Sequence, residues 1–379
     1  MIIFKKALAY IKIKRRKHID KDTYIIKNKK NTKWAFVSYI PSVFYDSDNS
    51  RKKIHQNQNE MIKIAETFEK LGLNVYIISY YSNKELPEID VTIVFGLEPV
   101  FERACTKYTN AKKIYYATGA YYLHQNQMVT SMTNNFNKTY NAHIPYKRLV
   151  PPHNSCEIAD KILQIGSIFT IGTYPSHLQS KIITIHQSTQ SKEINTNNIE
   201  YAEENEFVFM GSYGNTLRGI GLLVEYFCKN TDHTFHIIGP MEDDVMKAIQ
   251  QIITPNIIIH GFLDIDGIEL HNILKRCNYL IYPSGSEGGC PGSVLNLMKK
   301  GMIPIVTRWA AFDEIIEYGY LLKSINYEAI QDAVLWTLGL KKNRIVEMKK
   351  NAAKYVNEKY TIATFSNELK VFMSNILLN

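Results

Sequence analysis

From Lys33 onward the chain alternates two kinds of apolar spacing. Runs such as "KWAFVSYI", "NVYIISY", "VTIVFG" and "KKIYYATG" are apolar almost without interruption, as strands buried on both faces require. Between them Met61, Ile64, Ala65, Phe68 and Leu71 recur at helical intervals, and Gly72 stops that helix. Another helix is predicted over Phe101 to Tyr108. The polar stretch "QSTQSKEINTNNIEYAEEN", residues 187–205, interrupts the pattern, and beyond it the alternation restarts. There "EFVFMG", "TFHIIG", "NIIIHG", "YLIYPS" and "IPIVT" read as strands, with helices near Leu217 to Cys228, from Asp244, over Gly267 to Leu274 and from Ser293. Such alternation predicts parallel sheets covered by helices, and the interruption predicts two of them. A length of 379 residues agrees, since it exceeds one ordinary core.

A net charge of +9 suggests a nucleic-acid partner until it is mapped. Residues 1–33 carry twelve Lys or Arg against Asp20 and Asp22, so the rest of the chain is close to neutral. A basic arm on a neutral body fits docking to an anionic surface better than a groove that tracks phosphates, and no nucleic acid is expected. Within the arm Phe4, Ala7, Leu8 and Ile11 share one helical face, the pattern of a helix lying on a membrane. Lys5 and Lys6 interrupt any secretory-type apolar start, and no run approaches the roughly 18 apolar residues of a membrane span. Five scattered cysteines without a CxxC pair or zinc spacing read as reduced thiols. The expected location is the cytoplasm, with peripheral contact at the inner face of the membrane.

The stretch "SGSEGGCPGSVLNLMKKGMIPIVT", residues 284–307, changes the picture most. Gly285, Gly288, Gly289 and Gly292 crowd around one carboxylate, Glu287, in a loop between a strand and a helix. Open parallel sheets bind ligands at this position. The glycines are expected to remove β-carbons where a phosphate or sugar approaches the main chain, and the free amides at the helix start to hold an anion. A bare phosphate would repel Glu287, which therefore suits neutral sugar hydroxyls. The alternative is a tight turn with a solvated glutamate capping the helix.

These residues, followed by "EIIEYGYLL", resemble the donor-site signature of the retaining glycosyltransferases of GT-B fold, glycosyltransferase family 4. "FVFMGSYGNTLRGIGLLVEYF", residues 207–227, is similar to the other donor motif of that family. The resemblance is close over residues 205–325 and architectural in the first half. It implies an α/β GT-B fold, two doubly wound Rossmann-like domains facing across a cleft. Its divisions would be a basic arm (1–32), an acceptor-side domain (33–195), a donor-binding domain (196–356) and a C-terminal helix crossing back (357–379).

The implied function is transfer of a sugar, with retention, from a nucleotide-sugar donor to a glycan or lipid-linked acceptor in surface polysaccharide or glycolipid assembly. Cofactor and metal are expected to be absent. By resemblance Glu287 binds the transferred sugar, Arg218 and the amides after Gly211 neutralise the diphosphate, and Asn296 contacts ribose. Gly211, Ser212, Gly261, Gly288, Gly289, Cys290, Pro291, Ser293 and Val294 complete the implied donor site. Two positions depart from the family. Ser212 stands where an arginine is usual, leaving one cation instead of two, and Asn296 stands where a second acidic residue is usual, nine residues after Glu287 rather than eight. Two alternatives fit the same motifs: a catalytically silent sugar-nucleotide or glycan binding protein, and a nucleotide-sugar epimerase.

In the first half His124 is a candidate catalytic residue, because a histidine often follows the last strand of that domain in the family. A core or surface role is the alternative. His55, Asn57 and Asn59 sit at a strand's carboxyl end, where they either face the cleft or cap a helix. Asp264 and Asp266 have the spacing of a metal-binding DxD pair, but they lie directly before the helix at Gly267, where either serves as an N-cap. "MEDDVM", residues 241–246, reads as a helix start.

Overall fold

The computed structural model describes residues 21–45 and 55–378. The membrane-surface helix expected around Phe4 to Ile11 lies outside the described residues. The first sheet contains β1 (Thr23–Ile26), β2 (Trp34–Tyr39), β3 (Asn74–Ser79), β4 (Val91–Gly96), β5 (Lys112–Ala117), β6 (Lys161–Ile165) and β7 (Ile182–Ile185), in the order β1-β3-β2-β4-β5-β6-β7. Its pairings are parallel except that of β1 with β3. The second contains β8 (Glu206–Met210), β9 (Phe235–Ile238), β10 (Ile257–Gly261), β11 (Cys277–Tyr282), β12 (Ile303–Thr307) and β13 (Tyr320–Leu322). Its order is β10-β9-β8-β11-β12-β13, parallel throughout.

The first sheet starts earlier than the composition suggests. Thr23–Ile26 lies in the predicted basic arm, yet it pairs with β3, and Tyr24 stacks on Phe44 with ring centroids 4.6 Å apart. Its apolar contacts outweigh its basic surroundings.

Among the described residues, ten helices of seven or more residues cover the sheets: α1 (Gln56–Lys70), α2 (Val100–Lys107), α3 (Tyr122–Tyr140), α4 (Ile220–Lys229), α5 (Asp243–Ile249), α6 (Ile268–Leu274), α7 (Gly292–Lys299), α8 (Tyr327–Leu338), α9 (Lys342–Lys359) and α10 (Ile362–Leu378). In α1 the predicted stripe of Met61, Ile64, Ala65 and Phe68 is buried, and His55 with Gln58 forms a capping box at its start. Two helices tie the sheets together from opposite directions. At the C-terminus α10 returns to the first core, burying Phe365, Leu369, Phe372 and Met373 among α1 residues. From the first half, α3 reaches into the second core, where Phe136 and Ile144 pack with α4. Tyr140 donates to the Gly221 carbonyl at 2.5 Å, and the Thr133 and Thr216 hydroxyls meet at 3.0 Å. By packing, α3 therefore belongs to the second half although it lies within residues 33–195.

Glu60 is buried where the two halves join. Its Oε1 accepts from the Ser188 amide at 2.6 Å and the Ser188 hydroxyl at 2.9 Å, so a carboxyl on α1 holds the segment that connects the domains. Burial pushes it up to about 7, against the lowering effect of both Ser188 hydrogen bonds. A carboxyl raised in the folded state binds a proton there that the unfolded chain releases from about pH 4.5. Its contribution is complete below that pH and is lost as pH rises through 7. Glu60→Gln keeps an acceptor for Ser188 and removes this penalty. In thermal or urea unfolding the variant is expected to match the native protein at pH 4 and to exceed it at pH 8, by roughly 3 kcal/mol at most. A pH-independent difference would refute the assignment.

Candidate functional site

The carboxyl ends of the two sheets face each other across a cavity of about 650 Å³. In the second sheet the strand order reverses between β8 and β11, and the loops after these two strands form the cavity's floor. After β8 come Gly211 and Ser212, with Arg218 on the turn into α4. After β11 come residues 283–291, ending at the N-terminus of α7. Phe262, Leu263, Asp264 and Ile265 follow β10 and close one side, while His55, Gln56, Thr118, Gln187 and Gln190 line the other.

Arg218 and Glu287 converge on this floor. Arg218 donates from Nε to Glu287 Oε1 at 3.3 Å and from Nη1 to Ser212 Oγ at 3.0 Å. Glu287 Oε1 also accepts from the Tyr282 hydroxyl at 3.1 Å and the Ser284 hydroxyl at 3.2 Å. A second guanidinium, Arg148, places Nη1 3.7 Å from the same oxygen. Burial alone would raise the Glu287 carboxyl. The two arginines overcome it and hold the group below the usual carboxylate range, so it is ionised at neutral pH. Burial and the adjacent carboxylate raise the Tyr282 phenol, which keeps it a donor. For Arg218 burial works against the charge, and Tyr282 and Glu287 outweigh it.

Arg148 carries no motif and is invisible to periodicity. It lies on the segment after α3 with a φ of 67°, and Gly214, itself at φ 92°, gives its aliphatic stem room. Nη1 is buried without a hydrogen-bond partner. The cation missing at Ser212 is thus matched by one from the other half of the chain, although Arg148 sits behind Glu287 and not on the cavity wall.

The glycines answer to protein rather than to ligand alone. A β-carbon on Gly288 would overlap the Thr118 carbonyl oxygen, and one on Gly289 would lie 2.6 Å from Gly166 Cα. One on Gly285 would overlap Met132, and one on Gly292 would overlap the Gln56 side chain. Thr118, Gly166 and Gln56 belong to the first half, and Met132 to α3, which packs with the second. Gly288 and Gly289 thus let the main chains of the two halves meet, and Gly288, Gly289 and Gly292 also line the cavity, whereas Gly285 does not.

Other implied roles shift for equally local reasons. Glu242 Oε1 and Oε2 accept from the amides of Gly214 and Asn215 at 3.1 and 3.0 Å, so two amides expected to hold a diphosphate are occupied. Asn296 lines the cavity, but Oδ1 accepts from the Gln190 and Ser191 amides at 3.0 and 2.8 Å while Nδ2 donates to Gly292 O at 2.7 Å. Both ends of the amide are engaged, and from the cavity wall the side chain fastens the interdomain segment. His124 packs against Trp309 with centroids 4.3 Å apart and the rings tilted by 52°, and contacts the Gly285 carbonyl through Nε2 at 3.2 Å. It faces the back of the glycine loop and does not line the cavity, and burial lowers its pKa.

Gly211, Ser212, Gly288, Gly289, Cys290, Pro291 and Ser293 do line it. Val294 is buried in the second core, and Gly261 stops one residue short at the end of β10. His55 both caps α1 and lines the cavity, whereas Asn57 and Asn59 do not line it. Neither aspartate of the DxD pair caps α6, whose N-cap is Gly267. Asp264 accepts instead from the Asp266 amide, and Asp266 pairs with Lys300 at 2.8 Å. As read, "MEDDVM" opens α5, with Asp243 and Asp244 in its first turn.

Among the described residues one group, Glu206, His236 and Cys277, brings potential metal-ligand atoms within 4.8 Å of one another. It lies in the core near the opposite ends of the strands. Glu206 is already shared by His236 and Arg276, and burial raises the Cys277 thiol, which leaves it protonated at neutral pH. The Cys277 thiol donates to the Ile273 carbonyl, so each member of the group has a protein partner.

Residues 204–339 match the family model described as glycosyl transferases group 1. No curated protein sequence matches the chain. Among solved structures, sucrose-phosphate synthase from Thermosynechococcus elongatus is similar with a TM-score of 0.59 at 10% identity, over 92% of this chain and 100% of that one. A glycosyltransferase from Rickettsia africae gives 0.58 at 15% identity, over 92% and 99%. HepE of Anabaena, in complex with UDP and glucose, gives 0.55 at 10% identity, over 91% and 100%. Two facing sheets, a cavity at the strand-order reversal and the likeness to these structures lead to one conclusion: the chain has the GT-B fold of glycosyltransferases, and residues 204–339, which carry the cavity's floor, match the group 1 glycosyl transferases.

Proposed function

We propose that the chain moves a sugar, with retention, from a nucleotide-sugar donor held by the second domain to a glycan or lipid-linked acceptor entering from the first, as in surface polysaccharide or glycolipid assembly. The observation that carries this is the convergence of Arg218 and Glu287 at 3.3 Å on the floor of a cavity shared by both halves. A cavity of this volume suits a nucleotide-sugar. Phe262, largely exposed on its rim, offers an aromatic face to a base. Arg218 Nη1, now on Ser212, and the uncapped start of α7 offer donors to a diphosphate, whose charge grows as the glycosidic bond breaks. Glu287 then addresses the hydroxyls of the sugar beyond it. The UDP and glucose bound by HepE support a nucleotide-sugar donor, and the likeness of residues 284–307 to the retaining signature supports retention.

The test is titration with a panel of nucleoside diphosphates and their sugars, followed by product analysis by NMR. A donor is expected to bind, and its sugar to appear on an acceptor with the anomeric configuration it had on the nucleotide. An inverted product would remove retention. Binding without transfer would favour a silent binding protein, and conversion of the donor without acceptor would favour an epimerase.

A further inference from the structure

A second cavity, also about 650 Å³, opens on the far side of the segment that follows β10. Ile265 borders both cavities, but the rest of this one comes from the interdomain segment around Ile199, from α6, from Lys300 and Met302, and from Lys349 on α9. None of the residues assigned to the donor site lines it.

Lys349 sets its chemistry. The side chain is almost wholly buried, and Nζ donates to the Cys277 carbonyl at 3.1 Å and to Asn278 Oδ1 at 3.0 Å. An ammonium has three hydrogens to donate, so one remains. Both acceptors are neutral, and no carboxylate lies within ion-pair distance of Nζ among the described residues. A buried charge without a counter-ion is costly, and burial accordingly lowers Lys349 to about 8. The cavity's other charges do not remedy this. Lys275 and Lys300 add positive charge, Asp266 is paired with Lys300, and Glu200 sits on the wall without an ion pair to Lys349. Ile199, Leu270, Leu274 and Met302 supply an apolar lining. We propose that this cavity is a binding site for a small organic anion, its charged end paired with the Lys349 ammonium and its apolar body packed on the lining of α6 and Met302.

The probes are hexanoate, its neutral counterpart hexanol, and inorganic phosphate, titrated calorimetrically into the full chain at pH 7 and pH 9. Hexanoate is expected to bind at pH 7 and to bind roughly tenfold more weakly at pH 9, as an ammonium titrating near pH 8 loses its charge. Hexanol is expected to bind at least tenfold more weakly than hexanoate at pH 7 and to show no such dependence. Lys349→Met is expected to abolish the preference for hexanoate over hexanol. Should that variant fail to fold, the pH series on the native chain remains decisive. Equal affinity for hexanoate and hexanol, or an affinity for hexanoate unchanged between pH 7 and pH 9, overturns the proposal. Phosphate binding as tightly as hexanoate overturns the role of the apolar lining. Binding is read without nucleotide-sugar, so the outcome is independent of the donor site.

Discussion

Replacing Arg218 with alanine is expected to lower sugar transfer about a hundredfold, the usual cost of removing one preorganised charge-stabilising donor. Two effects combine. The diphosphate loses its fork-shaped guanidinium, and Glu287 keeps only Arg148, 3.7 Å away, as a cationic neighbour in a buried place. Glu287→Gln is expected to cause a loss of similar size by the reverse route, leaving two guanidiniums without their common carboxylate. Because the residues share one oxygen, the double variant should lose less than the product of the single losses. Arg218→Lys, which restores charge but not the planar fork, should fall between alanine and the native enzyme. Near-ultraviolet circular dichroism checks that each variant is folded before its turnover is measured. Native turnover in Arg218→Ala or Glu287→Gln would remove that residue from the mechanism.

A single methyl group at Gly288 is expected to separate the domains. Its β-carbon would occupy the place of the Thr118 carbonyl oxygen, and since both sides of that contact are main chain, no rotamer change relieves the overlap. Gly288→Ala should therefore enlarge the radius of gyration measured by small-angle scattering and reduce transfer at least tenfold, because residues such as Gln56 and Thr118 withdraw from the cavity wall. Gly119→Ala is the matching control: it lies on the opposing side of the same junction, and its β-carbon meets nothing within 4 Å. Equal scattering and equal rates in the two variants would show that the junction tolerates the methyl group.

Much of this architecture was legible in the chain because strands of a doubly covered parallel sheet must be continuously apolar. The residues of β11, Cys277 to Tyr282, are all buried, and its apolar core "YLIY" announces a strand without ambiguity. Helix α3 was not legible. Its apolar stripe of Val129, Met132 and Phe136 is set among Asn, Gln and Thr, and its face is completed only by Leu217 and α4, distant in sequence. The glycines of residues 285–292 revealed that something approaches the main chain, but composition does not say what. Arg148 was hidden for a different reason: a guanidinium in a left-handed loop conformation has no spacing to betray it, and only the fold brings it beside Glu287. Asn296 was read as a ribose contact, and only the fold shows that its two-sided amide lets one residue fasten both Gln190 and Gly292.

The reach of α3 into the other domain bears on how this enzyme can be re-engineered. A chimera that exchanges residues 196–356 for the donor half of a relative would discard the surface on which Phe136, Tyr140 and Ile144 rest. A graft with its seams at the start of α3 and after Ile144, in addition to the interdomain segment, would carry that surface along with its occupant. The second core of this chain is therefore built from two separate stretches of sequence rather than one.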